Sequence, residues 1–198
     1  MKRLLILSAA LLTVSAAALV GTRDAWSAPE GAAYAGDTVH SYVIFKVKHL
    51  NASWSYGRFN EFTVSFDTND AGTELTSAAF VVKAASVDTG NAKRDQHLQG
   101  PDFFNAKQFA DISFKSTAVK SAGAGAWEVT GDLSLHGVTK AVTVNVAKVG
   151  DGKGPKGEVL LGLETTFAVK RSEFGMTYGV GPVSDEVTLT VAVEGARK

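Results

Sequence analysis

Trp127-Glu-Val-Thr-Gly-Asp-Leu-Ser-Leu-His136-Gly137, continued by Val138-Thr-Lys-Ala-Val-Thr-Val-Asn-Val-Ala-Lys-Val149, is the stretch that decides the fold. Val129, Leu133 and Leu135 fall on alternate positions of its first half, and Val142, Val144 and Val146 on alternate positions of its second, with mainly Thr, Ser, Asp and Asn between them. A period of two gives each segment one apolar and one polar face, as a half-buried strand requires. Between them, His136-Gly137 supplies a tight turn, because glycine takes the left-handed backbone that a two-residue hairpin loop demands. The unit is an antiparallel hairpin with one face destined for a core.

The same period extends outward in both directions. Val39–His49 places Val43, Phe45 and Val47 on one face, and Phe59–Asp67 does so with Phe62, Val64 and Phe66. In Ala78–Val87, Lys83 shares parity with Ala79 and Val81, so Phe80, Val82 and Ala84 are assigned to the interior. Ile112–Ala118 turns Ile112 and Phe114 inward; Val159–Val169 contributes Leu161, Leu163 and Phe167; Glu186–Glu194 contributes Val187, Leu189, Val191 and Val193. With Trp127–His136 and Ala141–Val149, eight strands are expected. Turn chemistry joins them at Asp70-Ala71-Gly72, Ser121–Gly125, His136-Gly137 and Gly150–Gly157, and Trp54 and Tyr56 fall in a loop after the first strand. Asn91–Gln108 alone breaks the alternation: Lys93 to Leu98 suits a short helix that Pro101 stops, inserted between strands three and four.

An all-β chain of eight antiparallel strands removes its exposed edges by closing into a barrel, wide enough to be filled by side chains or to hold one small ligand. The outward positions, such as Thr143, Asn145, Lys115, Glu186, Thr188 and Thr190, are polar, so water surrounds the barrel and no stable membrane insertion is expected.

The N-terminus places this domain outside the cytoplasm. Lys2 and Arg3 precede an apolar run from Leu4 to Val20, which reads as a secretory signal over residues 1–28, with cleavage between Ser27 and Ala35 and a single domain over 34–196. A periplasmic location is expected, secretion being the alternative. There is no cysteine, so the core must hold without disulfides. Twenty basic residues balance twenty acidic ones and are scattered singly, which excludes the basic stripe of a nucleic-acid partner.

Catalytic and metal chemistry find little purchase. His40 and His49 are nine apart and face opposite sides of a continuous strand, no helical His pair exists, and soft ligands are missing, so no metal or cofactor is expected. No Gly-x-Ser-x-Gly elbow or reactive Cys offers a nucleophile. Arg94, Asp95 and His97 are the candidates for specific chemistry. Arg94 and Asp95 are read as an ion pair that ties the insertion to the barrel, with His97 packed beneath; the alternative is that Arg94 or His97 meets the polar end of a ligand. Phe103 and Phe104 are placed at the same mouth, one closing it and the other packing outward.

Asp88-Thr89-Gly90, Arg94-Asp95-x-His97-Leu98 and Asp102-Phe103-Phe104 resemble the YceI family, whose members read S-x-D-T, R-D-x-H-L and D-F-F there. His40-Ser41, His49-Leu50, Gly57-x-Phe59 and Gly131-Asp132-Leu133-x-Leu135-x-Gly137-Val138-Thr139-Lys140 fit in order, so the resemblance spans Tyr34 to Ala196. It implies a lipocalin-like barrel whose apolar tunnel binds a polyisoprenoid or related long-chain amphiphile in the bacterial periplasm. The expected ligand-binding residues are then the inward set on the eight strands: Val43, Phe45, Val47, Phe62, Val64, Phe66, Phe80, Val82, Ile112, Phe114, Val129, Leu133, Leu135, Val142, Val144, Leu161, Leu163, Phe167, Leu189 and Val191, with Arg94, His97, Phe103 and Phe104 at the tunnel mouth. A carrier rather than an enzyme is expected; an enzyme acting on a lipid-like substrate and a stress-linked barrel with a filled core are the competing readings. A homodimer stays open.

Overall fold

The computed structural model describes residues 31–198; the expected signal peptide, residues 1–28, lies outside them. The strands are β1 (Gly31–Gly36), β2 (Tyr42–His49), β3 (Ser53–Phe59), β4 (Phe62–Asn69), β5 (Leu75–Lys83) and β6 (Val87–Asp88), then β7 (Asp111–Gly123), β8 (Ala126–Leu135), β9 (Val138–Lys153), β10 (Val159–Lys170) and β11 (Val183–Arg197). Among the described residues one α-helix, α1 (Ala92–Leu98), lies between β6 and β7, where the insertion was expected.

Pairing reduces these strands to eight staves. β1 and β2 run in succession along β11, with Gly36 opposite Gly195 and Tyr42 opposite Ala192. β3 and β4 form the second stave, β3 against β2 and β4 against β1. β5 and β6 form the third, joined through a 3-10 turn at Ala84–Ser86 and paired to β4 and β3 respectively. β7 to β11 follow as neighbours, and β11 returns to the first stave, so the antiparallel barrel is closed.

Strand boundaries differ from the sequence expectation: β5 begins earlier, at Leu75, β7 runs into the expected Ser121–Gly125 turn as far as Gly123, β11 spans Val183–Arg197, and three further differences have local causes. The first stave starts at Gly31, ahead of Tyr34, and is broken at Asp37–Ser41, where Asp37 N–H donates to Glu194 O at 2.7 Å and Ser41 Oγ accepts from Glu194 N at 3.0 Å. Trp54 and Tyr56 stand on β3 rather than in a loop: both are exposed while the small Ser55 and Gly57 alternate with them toward the interior, the inverse of the pattern used to find strands, and only Phe59 at the strand's end is a large buried residue. β9 continues through Gly150 to Lys153, and the turn that follows is confined to Gly154–Glu158, closed by Gly154 N–H donating to Glu158 O.

Inside, large apolar side chains meet from every stave. Tyr34 stacks on Phe66 with centroids 4.9 Å apart, and glycine at 195 leaves room for that ring, since a Cβ there would lie 2.5 Å from it. Outside, hydroxyls pair across strands, Thr130 with Thr143 and Thr166 with Thr190, both at 2.9 Å. The β9–β10 ladder ends at Val146 opposite Thr165. Near this parting, a second 3-10 turn, Arg171–Phe174, buries Phe174, whose carbonyl accepts from His136 Nδ1 at 3.1 Å.

Candidate ligand-binding cavity

The loop that begins the mouth is organised around Thr89, the residue after β6. Thr89 N–H and its hydroxyl both donate to Asp95 Oδ1, at 2.9 and 2.5 Å. The same hydroxyl accepts from Arg94 Nε at 2.7 Å, and Arg94 Nη2 donates to Thr89 O at 2.8 Å. Arg94 and Asp95 are thus linked through Thr89, which corrects the expected direct ion pair: successive positions on a helix point about a quarter turn apart, and both reach back to the strand end. Asn91 caps the helix, its side chain accepting from Arg94 N at 3.0 Å.

His97 does not pack beneath this group. It is half exposed, donates from Nε2 to the Asp102 carboxylate at 2.9 Å, and meets the edges of Phe103 and Tyr178 at centroid distances of 5.1 and 5.5 Å. Phe103 and Tyr178 close that triangle at 5.3 Å, so the insertion is joined by aromatic contacts to the loop after β10. Phe104 instead turns inward and meets Phe59 edge-on at 5.5 Å.

Beneath this rim lies a cavity of about 390 Å³. Of the inward residues expected to bind ligand, Val43, Phe45, Val47, Phe80, Val82, Ile112, Leu133, Leu135 and Leu189 line it, as do Arg94, His97, Phe103 and Phe104 at its mouth. Val64, Phe66, Phe114, Val129, Val144, Leu163, Phe167 and Val191 line a second, inner pocket of about 60 Å³, which Phe80 also borders. Phe62 and Leu161 are buried in the core and Val142 packs against it, and all three lie outside both linings.

The cavity also recruits residues that sequence reasoning passed over: Thr89, Arg171, Met176, Tyr178 and Val183. Arg171 is buried, and its guanidinium is spent on main-chain carbonyls: Ser184 O at 3.0 Å, Met176 O at 2.9 Å, Tyr178 O at 2.7 Å and Val183 O at 3.1 Å. Burial pulls this guanidinium below its ordinary value, with the carboxylate of Asp185 working against the shift. Its task is to fold the segment between β10 and β11 into one wall of the mouth. The lining is otherwise mostly hydrocarbon, and Arg94, Thr89 and His97 stand at its mouth, an arrangement that suits a molecule with an apolar body and one polar end.

The histidines remain apart. His49 lines the cavity, whereas His40 sits at the break in the first stave with Nδ1 2.6 Å from Asp37 and 4.0 Å from Glu194. This trio, with His40 exposed and both carboxylate residues half-buried, is the grouping of three potential metal-ligand side chains among the described residues, and it was not foreseen because Glu194 comes from the far end of the chain.

Residues 34–195 match the YceI-like domain. The chain belongs to the YceI-like family. Among YceI-like relatives, a UPF0312 protein of Azotobacter vinelandii is 41% identical over 159 residues, covering 80% of this chain and 83% of that protein. The crystal structure of the Campylobacter jejuni YCEI protein superimposes with a TM-score of 0.70 at 31% identity, over 76% of this chain and 90% of that one. A polyisoprenoid binding domain from Saccharophagus degradans shares the fold, with a TM-score of 0.63 at 16% identity over 83% of this chain and 98% of that domain.

Proposed function

We propose that this YceI-like barrel binds one long apolar lipid, a polyisoprenoid or related amphiphile, and carries it through the periplasm. The observation that carries the reading is the cavity of about 390 Å³, walled mostly by hydrocarbon, with Arg94, Thr89 and His97 at its mouth. Apolar area removed from water contributes roughly 25 cal/mol per Å², so such a chain needs no hydrogen bonds to be held, and each added methylene changes the affinity by only about 1 kcal/mol. The polyisoprenoid binding domain of Saccharophagus degradans, built on the same fold, supports the choice of lipid class. The chemistry asked of the protein is binding without turnover, so neither metal nor cofactor enters the account. Export through the N-terminal signal belongs to the same proposal, and cleavage ahead of Gly31 would keep Ala32 and Tyr34 of β1, which are buried in the barrel, in the mature protein.

The test is competition for a fluorescent prenyl probe on delipidated mature protein. Long-chain prenols should displace the probe, and Phe45→Asp, which places a charge in the lining, should abolish uptake, whereas outward Thr143→Lys should leave it intact. Equal uptake by Phe45→Asp and the unaltered protein would refute the interior site.

A further inference from the structure

The cavity opens beside a patch of exposed apolar residues that the binding account does not explain. Nine large hydrophobic residues are exposed among the described residues, and five of them, Leu50, Trp54, Tyr56, Tyr178 and Val180, gather on the β2–β3 hairpin and the β10–β11 loop. Each is 45% to 62% exposed. The two elements are tied together: Leu50 N–H donates to Pro182 O at 2.6 Å, and Val183 lies opposite His49. Tyr56 and Tyr178 also border the cavity, so the patch is continuous with its mouth.

Cations interleave with these side chains. Across the hairpin, Lys46 is opposite Tyr56 and Lys48 opposite Trp54, and Lys46 Nζ rests 4.7 Å from the centre of the Trp54 ring. Lys93 and Arg94 are exposed on α1 at the same mouth. The nearby carboxylates are engaged, Asp88 with Arg58, Asp102 with His97 and Asp185 with Ser172, while exposed Glu186 stands opposite Lys170. Trp and Tyr settle at the headgroup level of a bilayer, and lysine stems lie along apolar surface with their charge in water.

We propose that this patch docks the cavity mouth onto the surface of a bilayer containing anionic lipids, so that the apolar ligand passes between membrane and barrel without crossing water. The proposal rests on the lipid-binding reading for its purpose, but the docking itself is a separate property. Each cation close to an anionic surface strengthens attachment roughly fivefold, and added salt weakens it. The two apolar tips, Leu50 and Val180, lie outside the cavity lining and supply the part that salt leaves untouched.

The experiment is vesicle flotation of the mature protein, using phosphatidylcholine with and without phosphatidylglycerol. The unaltered protein should float with the anionic vesicles, with the emission of exposed Trp54 shifting to the blue. The double variant Leu50→Asn, Val180→Ser should weaken attachment by about tenfold or more. It should also slow transfer of a prenyl probe from vesicles, while uptake of the probe from detergent is unchanged. Asparagine accepts the positive φ of 50° at position 50, so folding is retained. Lys48→Glu should weaken attachment to the anionic vesicles alone. No flotation by the unaltered protein, or equal flotation by the double variant, would overturn the proposal. So would a concentration-dependent dimer in sedimentation that the same double variant abolishes, without vesicle attachment. Flotation lost in the variant, with no probe taken up by either protein, supports docking and removes the lipid-binding reading instead.

Discussion

Phe80 stacks on Phe114 across the β5–β7 ladder, with ring centroids 5.6 Å apart and planes 18° apart. Phe80 borders both the outer cavity and the inner pocket, while Phe114 borders the inner one, so the pair is the floor between them. A hydrocarbon site discriminates poorly among chains by contact energy, and length is limited mainly by where the space ends. In this barrel Phe80 stands between the two spaces.

Phe80→Ala should therefore join the two spaces and shift the accepted prenyl chains toward greater length. The stability lost should stay below about 3 kcal/mol, the low end for a phenylalanine truncation, because Phe80 is only half-buried. Mass spectrometry of ligands retained from a mixed-length pool, beside a denaturant melt, checks both; an unchanged length profile would place the limit elsewhere.

Gly57 is the inward residue of β3 beneath Phe45, and a Cβ there would lie 2.3 Å from Phe45 Cζ and 2.9 Å from Thr89 Cγ2. Gly57→Ala should drive the Phe45 ring into the cavity, costing about 1–3 kcal/mol as an overpacked contact. Probe uptake should fall alongside the denaturation midpoint. A variant as stable and as retentive as the unaltered protein would show that the ring has another place to go.

Asp95 and Arg94 meet on Thr89 but should fail differently. Asp95→Ala leaves the half-buried N–H of Thr89 without its acceptor and should cost about 1–3 kcal/mol. Arg94→Ala removes an exposed side chain whose bonds to Thr89 are worth about 1 kcal/mol, and should act chiefly on the rate of ligand exchange or on head-group preference. Stopped-flow exchange and thermal melts of both variants decide the matter: equal destabilisation with unaltered exchange would assign both residues to scaffolding.

His40 and Asp37 form a pH-dependent staple at the break in the first stave. The hydrogen bond and charge of Asp37 raise His40 above its ordinary 6.5, and Glu194 adds to this. The His40 and Val39 hydrogen bonds hold Asp37 below its ordinary 3.8. The raised histidine contributes fully below 6.5 and is lost as pH climbs through its raised value; the lowered carboxylate contributes above 3.8 and is lost as pH falls through its lowered value. The staple is complete between those limits. NMR titration should place His40 above 6.5, and Asp37→Asn should return it toward that value. An unmoved midpoint would remove Asp37 as the cause.

The staves with large inward residues were legible because period two and turn chemistry agree; His136 and Gly137 do take left-handed φ of 52° and 77°. β1 was hidden because Gly31-Ala-Ala-Tyr-Ala-Gly36 offers small residues that read equally as a processing site. β3 was hidden because Trp54 and Tyr56 are exposed while small Ser55 and Gly57 take the inward positions between them. The mouth was legible as a segment but not as a network: Arg94 and Asp95 bond to one threonine, which adjacency in sequence does not disclose. Arg171 was missed because its partners are carbonyls, which no residue type advertises, and a buried arginine beside Lys170 looks like surface.

Lipid occupancy of the interior is tested most directly by organic extraction and mass spectrometry of protein purified under gentle conditions from its native compartment. About one long-chain isoprenoid or related amphiphile per barrel is expected, lost from Phe45→Asp. Repeated recovery of folded protein with no apolar molecule in the extract, and no uptake when prenols are supplied, would contradict it.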